Sequence, residues 1–420
     1  MAKGIVTAID IGSSKITTLM AQVSVDAVTF ETTVSIVGVS EVPSRGVKKG
    51  QIVDIEDAVE STIVSVEGAE RMAGYSVDTA FVSVGGGHIQ SQNSKGVVAV
   101  SDPNGEVSSE DVVRVIEAAR AIQLPASREI IHVLPREYMV DGEAGVRDPV
   151  GMTGVRLEVD THLVTVSSPA LKNLAKAVNE VGVNIEEAVF TGYASSFATL
   201  SPTEKELGCV LIDIGSGTTS LAAYVDGSLS YSGSVPIGAR NVTNDLAIGL
   251  RVPLDAAEKI KIDLSVFPTK KDDKEAQHID LSKFGAEEKK VSKRTLTEGI
   301  IKPRLNEIFT MVKLDLDRAG IINKVPSGAI LTGGGAHTYG IEDAARRTLG
   351  LPVRIAKPTG VTGLVDDIVD TPFSVATGLV LYGVQSERFQ EATGSKTSGL
   401  KLPNVGILSK LIDTAKELLP

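Results

Sequence analysis

Cysteine occurs once in the 420 residues, tryptophan not at all, and aromatic residues make up only 4%. A single cysteine excludes an internal disulfide framework, and Cys209, just ahead of the apolar run VLIDIG, reads as a buried, inert strand thiol rather than a nucleophile. The five histidines show no paired metal-ligand spacing, so surface or satisfied core positions are expected for them. No apolar run reaches the roughly 18–20 residues that span a bilayer, and the start MAKGIVTAID lacks the long apolar core of a signal peptide, which points to a cytoplasmic protein. Basic charge is also short. With 42 Lys and Arg against 53 Asp and Glu, the net charge of −11 argues against general nucleic-acid binding, which needs a basic face for the phosphate backbone. What remains is ordinary globular material, 42% hydrophobic and 23% charged, long enough for two or more cores.

Two stretches echo one another. TAIDIGSSKITTL carries Asp10, VLIDIGSGTTSLAAY carries Asp213, and each reads as a buried strand, an Asp at its end, a glycine-containing turn and a second strand. Both halves continue with further strands, VSIVGVSEV and GSLSYSGSVPIG, and then amphipathic helices, DAVESTIVSVEGAERMAG and NVTNDLAIGL. A third glycine cluster, GAILTGGGAHTYGIEDAARRTLG, reads as strand, turn and helix. This order predicts an α/β fold with two related lobes facing a shared cleft, the first at residues 1–84 plus 161–200 and the second at 201–226 plus 304–386.

Residues 85–160 read as a small inserted domain entered through VSVGGGHIQSQNS, with one clear helix, SSEDVVRVIEAARAI, capped by Ser109 and Asp111. Residues 227–303 form a further lobe with a polar, charged second half. A stretch at 387–404, with Gly, Ser, Thr and Pro but no periodicity, marks a linker before a terminal helix at 405–420. In that helix Leu408, Leu411, Ile412, Ala415, Leu418 and Leu419 fall on one side. The stripe can press against the protein's own body, another chain or a lipid surface.

The strand-Asp-Ile-Gly-Ser unit places a carboxylate and a row of backbone N–H groups at one sheet edge. Gly12 and Gly215 permit tight turns whose amides are expected to face a phosphate, with Ser13, Ser14, Ser216, Gly217, Thr218 and Thr219 supplying further donors. Two such turns would grip a polyphosphate from both sides. Asp10 and Asp213 can hold Mg²⁺ through water, and Lys15 can neutralise a terminal phosphate. The third cluster, Gly333, Gly334, Gly335 and Ala336, brings bare backbone to a flat ligand, which suits an adenosine.

The two phosphate turns with the LTGGGA turn resemble the actin, sugar kinase and heat-shock chaperone ATPase superfamily. That resemblance implies duplicated ribonuclease-H-type lobes around ATP, with Glu258 and Lys261 of PLDAAEKIKIDL as adenosine contacts. The inserted run, above all DPVGMTGVRLEV, together with DTPFSVATGLVLYG, is similar to FtsA, the actin-like bacterial cell-division family; where many relatives have a second glycine, this chain has Ala239. The resemblance implies an ATP-binding protein that forms head-to-tail filaments with itself, receives the C-terminal tail of FtsZ on the 227–303 lobe and works with other division proteins. It also implies attachment to inner-membrane lipid through the terminal helix, at the cytoplasmic face of the division septum, and at most slow ATPase activity. From Lys270 to Arg304 ten Lys and Arg stand against seven Asp and Glu, so Lys289, Lys290, Lys293, Arg294, Lys302 and Arg304 are candidate contacts for an acidic peptide. A related pilus-assembly protein, PilM, and a sugar or polyol kinase share the expected cleft and are the alternatives; for the kinase no substrate-side catalytic base can be nominated.

Overall fold

The computed structural model describes residues 4–26, 31–266, 278–285, 290–364 and 368–392, with side chains described as far as Ser386. Two sheets of matching order dominate it. The first runs Asn184–Phe190, Thr79–Val84, Gly4–Ile11, Lys15–Val25, Thr32–Pro43 and the short Thr362–Gly363. The second runs, in reverse sense, Ser228–Val235, Thr219–Val225, Cys209–Ile214, Ala329–Thr332 and Val353–Ile355. In each, the strand ending in the repeated Asp motif lies inside the sheet. It pairs antiparallel with the strand after its turn and parallel with a later one.

Burial on both faces explains the near-continuous apolar character of these strands. Along Gly4–Ile11, Ile9 and Ile11 pack with Val66 and Ala69 of the helix Ile55–Ala73, while Val6 and Ala8 pack with Leu379 and Val380 of the last helix, Ser374–Ala392. The Ile55–Ala73 helix begins where Asp54 accepts the Asp57 amide and ends at Gly74 in the left-handed region, φ 73°. Cys209 is fully buried, and desolvation pushes its thiol up to about 12, as expected of an inert strand cysteine.

The insert is a four-stranded sheet, Gln90–Ala99, Arg156–Ser167, Arg128–Val140 and Glu143–Val146, backed by the helix Ser109–Arg120. Its cap is Ser108 rather than Ser109. The extended backbone of Ser108 aims its hydroxyl at the Asp111 amide, and the Asp111 carboxylate accepts the Ser108 amide at 3.0 Å, a reciprocal capping box. The strand Arg156–Ser167 serves two cores: Leu157 and Val159 pack in the insert, whereas Val164 and Val166 pack in the first lobe. The frontier between insert and lobe thus crosses a strand.

The insert also reaches the second lobe. The edge strand Ser228–Val235 is covered by Ser91, whose hydroxyl donates to the Ser232 carbonyl at 2.6 Å and accepts the Ser232 amide at 3.0 Å. His162 bridges the same seam, its two ring nitrogens 2.7 Å from Asn93 Oδ1 and 3.0 Å from Ser232 Oγ. Burial, reinforced by the charges of Arg136 and His132, pushes the His162 imidazole down to about 3.

The shift has a measurable sign. Below the ordinary imidazole value of 6.5 the unfolded chain takes up a proton that folded His162 refuses, so its contribution is present at neutral pH and lost as pH falls from about 6.5 toward 3. At about pH 5 the loss is roughly 2 kcal/mol. His162→Gln should therefore lose less stability than the parent between about pH 7 and pH 5 in guanidinium unfolding. Parallel pH profiles would count against a neutral buried imidazole.

Candidate functional site

The two hairpin turns face one another across a cleft of about 620 Å³ between the lobes. Its lining includes Asp10, Gly12, Ser13, Ser14 and Lys15 from the first lobe and Asp213, Gly215, Ser216, Gly217 and Thr218 from the second, with Glu258 and Lys261 on one wall and Gly333, Gly334 and Gly335 on another. The turns nearly touch. A Cβ on Gly217 would stand 3.0 Å from both Ser13 Oγ and the Lys49 backbone.

The amides are used differently from the sequence expectation. Gly12 N–H donates to the Lys15 carbonyl at 3.0 Å and Gly215 N–H to the Thr218 carbonyl at 2.9 Å, closing the two turns. The amides of Ser13, Ser14, Ser216, Gly217 and Thr218 have no protein partner among the described residues, and these are the donors the two turns leave for an anion. Thr219 is buried in the sheet, and its hydroxyl donates to the Ile237 carbonyl at 2.9 Å. Ala336 is also buried; its amide closes the third turn onto the Gly333 carbonyl at 3.0 Å.

That third turn owes its glycines partly to the protein itself. Gly333 has φ +82°, and a Cβ there would meet Asp213 Oδ1 at 2.3 Å, while one on Gly335 would meet the Ile214 side chain at 2.4 Å. Gly334 has open space, with only Pro372 at 3.9 Å.

Each repeated carboxylate is held by a serine from another element. Ser83, on Thr79–Val84, donates to Asp10 Oδ1 at 2.6 Å while accepting the Ile11 amide at 3.0 Å. Ser195, on the helix Thr191–Thr199, donates to Asp213 Oδ2 at 2.5 Å. Burial raises the pKa of Asp10, and pushes Asp213 up to about 7 with a further contribution from the Asp10 charge. Two desolvated carboxylates of like charge, facing a cleft with free amide donors, form a donor set suited to a hydrated divalent cation.

On the other wall the helix Leu254–Val266 presents Glu258 and Lys261 as an ion pair of 2.8 Å, and Thr243 bonds to both. The polar wall is thus set before any ligand arrives. The helix Ala239–Leu250 starts at the second turn: the Ala239 and Arg240 amides donate to the Gly215 and Ser216 carbonyls, each at 2.9 Å.

Several lining residues carry no signal in sequence spacing. Gly50 donates its amide to Ser13 Oγ at 2.9 Å; Thr191 and Ser220 share a 2.8 Å hydrogen bond from opposite lobes; Arg240, Thr371, Pro372 and Phe373 complete the mouth. They come from separate segments of the chain. The DTPFSVATGLVLYG resemblance is the one pointer to Phe373.

The candidate peptide contacts differ in availability. Lys290 and Arg294 are exposed, and Lys293, of intermediate exposure, has an interaction of its own. Lys302 is paired with Glu298 at 2.5 Å. Arg304 is committed to Asp245 through two hydrogen bonds of 2.6 and 2.9 Å and also to Glu307, so it ties two helices together rather than standing open to a peptide. Lys289 and the terminal stripe from Leu408 to Leu419 lie outside the described residues.

Residues 86–165 match the family described as SHS2 domain inserted in FTSA, and residues 210–378 match Cell division protein FtsA. The chain is 39% identical over 391 residues to the Cell division protein FtsA of Borreliella burgdorferi, covering 93% of this chain and 94% of the relative. It is 37% identical to that of Pseudomonas aeruginosa, covering 91% and 90%. Among solved structures, a PilM-PilN type IV pilus biogenesis complex superposes with a TM-score of 0.62 at 16% identity, covering 90% of this chain and 98% of that one. MreB5 of Spiroplasma citri bound to ADP gives 0.53 at 13% identity, covering 92% and 98%, and a MamK double helical filament gives 0.50 at 12%, covering 90% and 98%. These likenesses at low identity show an actin-like fold. No described helix is long and apolar enough to cross a membrane.

Proposed function

The chain belongs to the FtsA family of cell division proteins, and from that premise we propose that it is an ATP-binding, filament-forming adaptor that tethers FtsZ filaments to the inner membrane. The observation that carries the nucleotide part is the pair of glycine turns, with five unpartnered amides among the described residues, opposed across one cleft that also holds two desolvated carboxylates. The solved MreB5 structure holds ADP in a protein of the same fold, which supports the same ligand class here. Ser13, Ser14, Ser216 and Gly217 bind the phosphates, and Glu258, Lys261 and Gly334 face the adenosine. Asp10 and Asp213 would hold Mg²⁺, whose charge would offset that of the polyphosphate.

A nucleotide seated between the turns touches both lobes, so its presence biases their angle and hence the contacts of successive subunits. The family premise and the filament of the MamK neighbour support self-association. For FtsZ, Lys290 and Arg294 are the exposed candidates, with Lys293 engaged in an interaction of its own and Lys302 and Arg304 held by intramolecular partners. The terminal stripe carries no Trp or Phe and its lysines are offset by Asp413 and Glu417, so a single tail binds lipid weakly and a filament of many tails binds firmly.

Co-sedimentation with anionic phospholipid vesicles tests tether and adaptor roles together. The intact chain should carry FtsZ into the vesicle pellet, and a chain ending at Leu400 should leave FtsZ in the supernatant. Equal pelleting of FtsZ by both chains would sink the tether. A Lys290→Glu, Arg294→Glu variant that still pellets with vesicles should deliver less FtsZ; undiminished delivery would remove these residues from the interface.

A further inference from the structure

Lys15, placed at the cleft by the first turn, is engaged by the protein's own side chains. Its ammonium forms an ion pair with Glu41, which lies on Thr32–Pro43 and lines the same cleft, and sits 4.0 Å from the centroid of the Phe373 ring. The carboxylate and the ring face hold one cation between the strand and the turn that precedes the last helix. Lys15 is 23% exposed and Glu41 44%, so the pair is partly, not fully, screened by water.

We propose that Glu41 is a specificity-determining residue that competes for Lys15 and so restrains the cleft's preference for nucleoside triphosphates over diphosphates. The inference rests on the nucleotide reading above. A ligand anion can recruit Lys15 only by replacing Glu41 as its partner. The shorter, less charged diphosphate is held by the turn amides and leaves the Lys15–Glu41 pair intact. The triphosphate adds a multiply charged group that forms stronger charge-assisted hydrogen bonds and takes Lys15 over. Glu41 therefore lowers affinity for the triphosphate, whose terminal phosphate draws on Lys15, and leaves the diphosphate, which does not draw on it, unaffected.

Calorimetric titration of the full chain with Mg·ADP and with a non-hydrolysable Mg·ATP analogue tests this. Glu41→Gln keeps the shape of the side chain and removes its charge. It should tighten the triphosphate analogue about fivefold, near 1 kcal/mol, and leave ADP unchanged within about twofold. Lys15→Met should weaken the analogue more than ADP, and in that background Glu41→Gln should have no effect on the analogue. Glu67→Gln removes the same charge from an exposed pair with Arg71 outside the cleft and controls for the diffuse field. Equal tightening of both nucleotides, or an effect that persists without Lys15, overturns the proposal. If the folded parent binds neither nucleotide, the nucleotide reading itself fails and this inference falls with it.

Discussion

Asp213→Asn should weaken Mg·ATP binding about a hundredfold, the scale on which metal sites respond to loss of an outer-sphere ligand, while making the nucleotide-free chain more stable. The second half follows from burial. Asp213 ends a fully buried strand, and desolvation together with the Asp10 charge pushes its pKa up to about 7. An ionised carboxylate there costs the fold, and an amide of the same shape removes that cost while still accepting the Ser195 hydroxyl. The expected gain is about 1–2 kcal/mol at mildly alkaline pH. Chemical unfolding without ligand and calorimetry with Mg·ATP give the two numbers separately. A variant that is both less stable and unimpaired in binding would place Asp213 in packing rather than in the site. Charge kept where it is unfavourable for folding is the mark expected of a residue retained for its ligand.

The repeat of Asp10 and Asp213 is enough to read the centre of each sheet, because the motif is local: strand, turn and strand follow in one stretch, and the antiparallel pairing across each turn needs no distant partner. Helices such as Ile55–Ala73 and Ser109–Arg120 are legible for the same reason, each carrying its own periodicity and cap. The site is legible only where a motif touches it. Ser83 and Ser195, which orient the carboxylates, sit in FVSVGGG and TGYASSFAT, where nothing in spacing separates them from other core serines. Gly50, Thr191 and Phe373 reach the cleft through pairings made far along the chain. Turn closure is equally hidden: sequence shows that a glycine permits a turn, but the structure decides whether its amide faces a ligand or, as at Gly12 and Gly215, the carbonyl three residues on. The pairing of Arg304 is hidden in the same way, because its partner Asp245 lies on a different helix.

Gly238→Val should cost on the order of a hundredfold in nucleotide affinity, the scale set by misplacing a site by about 1 Å, and about 2 kcal/mol in stability from overpacking. The backbone at Gly238 is extended, φ −156°, a conformation open to any residue, so conformational freedom is not the reason for glycine. Space is. A Cβ at Gly238 would lie 2.5 Å from both the Gly215 and the Ser216 carbonyl oxygens, and backbone cannot swing aside as a side-chain tip can. Relief requires the helix Ala239–Leu250 to retreat, which breaks the Ala239 and Arg240 bonds to those same carbonyls and tilts the Ser216 and Gly217 amides out of the cleft. The close approach thus falls at Gly238, one residue before Ala239. Ala239→Gly should accordingly change nucleotide affinity by no more than about twofold, since it keeps the backbone amide that bonds the Gly215 carbonyl and adds only the modest entropy cost of glycine. Calorimetry on both variants decides it, and near-parent binding by Gly238→Val would show that the second turn can be cradled without this contact.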